Sequence, residues 1–104
     1  MTRVVHVRKA EFDIYIGRAI KEFKESVWHN PFRIEIGCGR DCVCDKYEAH
    51  VRNKPELMAQ LDELRGKTLG CWCKDKRGHG KRCHGDSLVK LVREVFGDEE
   101  ETRL

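Results

Sequence analysis

Cys71, Trp72 and Cys73, then nine residues, then Cys83, His84, Gly85 and Asp86 form the pattern that most limits how this chain can fold. Three thiols and an imidazole are the donor set that zinc prefers at tetrahedral geometry. The spacing is not that of a zinc finger, because only Trp72 separates the first pair. In a regular strand, residues two apart share a face, so Cys71 and Cys73 can present two sulfurs together. The chain must then return so that Cys83 and His84 reach that face at the start of a helix. Adjacent residues rarely ligate one ion with ease, which makes His84 the least secure of the four donors. A C-x-C pair alone reads as buried thiols. A third cysteine followed directly by histidine shifts the reading to a metal site, with a redox pair as the lesser alternative.

A second group, Cys38, Cys42 and Cys44, can supply a fourth ligand, form its own site or make a disulfide. All three roles stay open. Six cysteines in 104 residues fall below the density of secreted disulfide scaffolds. No apolar run approaches the ~20 residues of a membrane span. The opening Met1-Thr2-Arg3-Val4-Val5-His6 lacks a signal-peptide apolar stretch. The expectation is a cytoplasmic protein (host cytoplasm if viral) whose cysteines serve first as metal ligands or redox groups.

The length suits one domain, expected over residues 1–97, with an acidic, frayed tail at 98–104. A domain this small buries only about 60–70% of its unfolded surface, so a metal clamp would help it. Charged residues make up 38%, but Lys and Arg exceed Asp and Glu by only three. That balance excludes a strongly basic nucleic-acid coat.

Short β-branched or alternating runs at Val4–Val7, Asp13–Ile16, Phe32–Ile36 and Thr68–Trp72 predict strands. Ile20, Phe23 and Val27 at helical spacing predict a helix over 18–28, broken at Asn30-Pro31. Asp45 and Glu48 resemble a capping box for a helix ending near Asn53, after a loop carrying Cys38, Cys42 and Cys44. Pro55 suits the first turn of the next helix, which presents Leu57, Met58, Leu61 and Leu64 and stops at Gly66. Asp86 is read as the N-cap of a last helix with Leu88, Leu91, Val92, Val95 and Phe96 inward and Gly97 closing it. The alternation predicts a small α/β domain: a short, mostly parallel or mixed sheet, flanking helices and a cysteine-rich metal loop.

The chain resembles a small family described only as a domain of unknown function, found in bacteria, phages and archaeal viruses. The resemblance rests on Val4-Val5-His6-Val7-Arg8-Lys9, Tyr15-Ile16-Gly17-Arg18, Asn30-Pro31-Phe32, the run from Leu64 to Lys74, and Cys83-His84-Gly85-Asp86. It implies a fold and a shared site, not an activity. The loop between Cys73 and Cys83 is longer here than in the family pattern, and Cys38, Cys42 and Cys44 are outside that pattern.

Arg18, Asn30 and Asp86 are candidate ligand-binding residues, and Cys71, Cys73, Cys83 and His84 candidate metal ligands. A crevice between the Tyr15–Arg18 turn and the Cys83–Asp86 helix start is expected to take a nucleotide-like or other phosphate-bearing anion. Arg18 and the free N–H groups after Gly85 would face the anion, and Asn30 would stand on the wall. The bland readings are a turn for Asn30, a cap for Asp86 and a surface ion pair for Arg18. The first functional reading is a zinc-binding module, and the second an enzyme acting on a nucleotide or modified nucleobase. The third, nucleic-acid binding through Arg77, Lys81 and Arg82, has little charge behind it.

Overall fold

The central strand of the sheet is the last strand among the described residues. In the computed structural model, which describes residues 2–74 and 80–97, β1 (Arg3–His6) and β2 (Ile14–Tyr15) flank β3 (Thr68–Cys71). Both pairings are parallel, with Val4 opposite Leu69, His6 opposite Cys71 and Tyr15 opposite Gly70. All three strands therefore end on one edge, and Cys71 closes the middle strand there. The helices are α1 (Arg40–Arg52), α2 (Pro55–Ala59) and α3 (His84–Phe96), with a 3-10 turn at Leu61–Leu64. This is the expected α/β domain, with a wholly parallel sheet.

Apolar spacing explains the core. Leu88, Leu91 and Val92 form the buried stripe of α3, which packs on β1, α1 and the 3-10 turn. Val4, Ile16, Leu61, Leu64 and Leu69 meet it from the other side. A Cβ on Gly85 would lie 2.8 Å from Val4 and 2.9 Å from Ile16, so the bare backbone sets the helix-to-sheet distance. The glycine serves the packing of helix on sheet. Val95 is 50% exposed rather than inward. The expected acidic tail at 98–104 and most of the basic loop, with Arg77 and His79, lie outside the described residues.

Four local expectations are corrected. Residues 18–28 form no helix. Ser26 N–H donates to Gly17 O and Ile20 N–H to Phe23 O, so the backbone closes turns. Phe23 stacks on Tyr15, whereas Val27 is exposed; the helical stripe has no common partner to bury it. Residues 32–36 are no strand: Ile34 and Ile36 are exposed and the pairing is a lone Glu35–Cys38 bridge. The loop expected to hold Cys42 and Cys44 is already α1, which starts at Arg40 behind Gly39. Asp45 and Glu48 lie inside that helix and bind Arg82, and Arg52 with Lys90. Asp86 is not the N-cap of α3. Cys83 is, and Asp86 stands at the third helical position, its carboxylate accepting from Cys83 N–H at 3.1 Å.

Candidate metal centre

Cys71 leaves the carboxyl edge of the central strand, Cys73 follows just beyond it, and Cys83 caps α3. Their three sulfurs lie within 4.8 Å of one another. Cys71 and Cys83 Sγ are 3.6 Å apart, and Cys73 N–H donates to Cys71 Sγ at 3.4 Å. The chain has turned off the strand at Trp72, so a local bend and the return through α3 unite the thiols. Cys71 and Cys83 are buried, and Cys73 is half-buried.

The electrostatics favour a negative cluster. Hydrogen bonds from the Cys71 and Cys83 thiols, joined by the Arg40 guanidinium, hold Cys73 far below the ordinary thiol value. Hydrogen bonding to Cys71 and Cys73, together with burial, pushes Cys83 far up. Of the three thiols Cys73 is thus the one whose deprotonation the surroundings favour, and metal binding would displace the protons of the others. Arg40 Nη1 stands 3.5 Å from Cys73 Sγ and also donates to Arg82 O at 3.1 Å. Lys74 Nζ, buried on the other flank, lies 2.7 Å from Asp86 Oδ2. Burial opposes the Lys74 charge, but Asp86 and the Cys83 and Cys71 sulfurs outweigh it and raise its pKa.

His84 does not join the thiols. Its Nε2 lies 2.6 Å from Ile16 O. A carbonyl only accepts, so Nε2 carries the proton. Burial lowers the His84 pKa and keeps the ring neutral, with Tyr47 edge-on at 4.9 Å. Helical geometry separates the donors: Cys83 is the cap, and the next side chain leaves in another direction.

The second cysteine group splits. Cys38 and Cys42 form a disulfide across the start of α1, and Cys44 is a buried free thiol whose pKa is raised by that burial. Among the described residues, only Cys71, Cys73 and Cys83 converge as a group able to hold a metal.

A cavity of about 600 Å³ opens beside the centre. All three clustered cysteines line it, as do Tyr15, Arg18, Asn30, Arg40, Trp72 and His84. It lies at the carboxyl edge of the sheet, where open α/β folds bind ligands. Arg18 is spent on structure: its Nε and Nη2 donate to Asn30 O, and Nη2 also to Phe32 O at 2.8 Å. Asn30 Oδ1 accepts from Phe32 N–H, a local turn bond. Asp86 lies outside the lining, and as the acid of the α3 capping box it occupies the helix start expected to receive an anion. Arg82 pairs with Asp41 and Asp45. Sequence reading missed Arg40, since neither spacing nor periodicity marks a distant cation that folds onto a thiol, and Lys74, whose Nζ meets Asp86.

Among the described residues, no helix is long and apolar enough to cross a membrane. The chain is 35% identical over 88 residues to "Uncharacterized protein R718" of Acanthamoeba polyphaga mimivirus, covering 78% of this chain and 67% of that protein. It is 29% identical over 103 residues to "Uncharacterized 12.4 kDa protein in nrdA-td intergenic region" of Enterobacteria phage T4, covering 95% and 84%. No solved structure matches it. The family model described as Domain of unknown function (DUF4326) matches residues 2–94, which contain every described strand and both cluster-bearing segments, and the chain belongs to that family.

Proposed function

We propose that this domain binds one zinc ion through Cys71, Cys73 and Cys83 and uses the adjoining cavity to hold a nucleotide-like anion. The observation that carries the reading is the meeting of three thiols from two segments nine residues apart on a cavity wall. Three thiolates with a divalent ion leave one net negative charge, and Arg40 beside Cys73 is placed to offset it. Zinc contributes Lewis acidity and holds the two segments together when bound.

The donor count supports a second reading. Three protein ligands with a fourth position open to a cavity is the arrangement of catalytic zinc sites, whereas four close the shell. With His84 facing Ile16 O, the cavity is where a fourth ligand would enter. An enzyme acting on a nucleotide or nucleobase is therefore the alternative to a plain binding module.

Elemental analysis of protein purified without a chelating tag tests the metal. One zinc per chain, lost in Cys73→Ser, is the expected result. Metal-free protein that takes up no zinc on addition refutes the reading.

A further inference from the structure

Three arginines elsewhere on the described surface meet carboxylates: Arg8 with Glu22, Arg52 with Glu48 and Glu94, Arg82 with Asp41 and Asp45. The cavity differs. Arg18, Arg33 and Arg40 line it, and no Asp or Glu does. Arg18 is engaged by carbonyl oxygens, and Arg40 donates through Nη1 to Cys73 Sγ and Arg82 O. Arg33 is exposed and makes no hydrogen bond or ion pair with a described residue. Two guanidiniums without a carboxylate therefore face one space, and a guanidinium fork matches a phosphate group.

Much of the rest of the wall is apolar. Tyr15, Phe32 and Trp72 contribute rings, and Ile20, Ile34 and Val43 aliphatic surface. Tyr15 is already stacked on Phe23, and Phe32 meets His50 edge-on. Trp72 is 38% exposed, a large cost for an indole unless a guest covers it. Its Nε1–H donates to Tyr15 Oη at 3.1 Å, and Arg8 lies 5.2 Å from its ring, so the indole is held in place. The volume falls within the ~300–1,000 Å³ of small-molecule sites. A guest must combine a dianionic group with a flat ring.

We infer that the cavity binds a nucleoside 5′-phosphate, its phosphate on Arg33 and Arg40 and its base against Trp72. The inference rests on the proposed reading of the cavity as an anion site and deepens it by assigning the ligand class and the residues. It moves the phosphate from Arg18 and the start of α3, where the sequence suggests it, to two arginines that no motif marks. A base on an indole face adds stacking energy with little demand for base identity.

The test is calorimetric titration of the zinc-treated protein with AMP, GMP, CMP and UMP. Adenosine, phenyl phosphate and inorganic pyrophosphate serve as separate arms, and zinc content is measured on the same samples. At least one mononucleotide should bind about tenfold or more tightly than adenosine and than pyrophosphate. Arg33→Ala and Arg40→Ala should each weaken it about tenfold, with partial recovery in Arg40→Lys. Trp72→Ala should weaken the nucleotide but not pyrophosphate. Arg33 is exposed and unpartnered, so its variant stays folded even if Arg40→Ala does not. Pyrophosphate or phenyl phosphate binding as tightly as every nucleotide overturns the inference and leaves the anion site standing. No binding by any anion overturns both, and zinc content without anion binding leaves only the metal reading.

Discussion

The Lys74 ammonium, buried to all but 6% of its side chain, lies 2.7 Å from the Asp86 carboxylate, which is 41% exposed. This one pair ties the residue after the C-x-C segment to the first turn of α3, and so holds the two halves of the thiol cluster together. Asp86→Asn leaves a buried ammonium without its counter-charge, while Lys74→Met leaves a carboxylate that water can reach. The two changes are expected to be unequal: about 2–3 kcal/mol for Asp86→Asn and about 1 kcal/mol for Lys74→Met. Urea unfolding of the metal-free variants checks the order. Equal losses would mean that the pair is more open to solvent than its geometry shows.

Cys83 has two separable jobs, cap and thiol. Cys83 is buried, so a hydroxyl in its place carries a desolvation cost that serine's strength as an N-cap only partly offsets, and Cys83→Ser should cost the metal-free protein about 1–2 kcal/mol. Zinc should raise the Tm of the parent, and Cys83→Ser should abolish that rise. Differential scanning calorimetry with and without zinc reads both effects.

Gly85→Ala should destabilise the fold by about 1–3 kcal/mol, because the added methyl meets Val4 and Ile16 at under 3 Å. Val4→Ala in the same chain should recover part of the loss. A neutral Gly85→Ala would place flexibility where close packing is drawn, and thermal unfolding decides it.

Glu48 on α1 accepts from Arg52 at 3.1 Å and from Lys90 of α3 at 3.3 Å. Burial raises its pKa, but these cations outweigh it and the net shift is downward from 4.5. A lowered folded-state value gives stability that is present above pH 4.5 and lost as pH falls through the folded value. Glu48→Gln should remove that component, flattening the acid limb of stability for metal-free protein and costing about 0.5–1 kcal/mol at pH 7. Denaturant melts from pH 7 to pH 3 check the slope.

Much of the fold was legible because it follows local spacing. Leu88, Leu91 and Val92 announce α3, Pro55 opens α2, and Thr68–Cys71 is a short apolar run bounded by Gly66. The misread segment, 18–36, shows the limit. Ile20, Phe23 and Val27 carry helical spacing, yet Trp28 buries itself by giving Nε1–H to Glu63 while Tyr47 Oη–H donates to Trp28 O. Those partners come from 35 and 19 residues away, and no periodicity within the segment encodes them.

The sequence by itself determined the donor chemistry: two thiols one residue apart, a third beside a helix start, and a glycine small enough to seat that helix on the sheet. Only the tertiary structure decided which donors meet. Capping turned Cys83 toward Cys71 and Cys73 and gave His84 to Ile16 O, and Cys38 joined Cys42 rather than the cluster. It also decided which charges face the cavity, spending Arg18 on carbonyls and bringing Arg40 to Cys73. The physical reason is that residue type and spacing set what a side chain can bind, whereas its partner depends on the path of a chain segment tens of residues away.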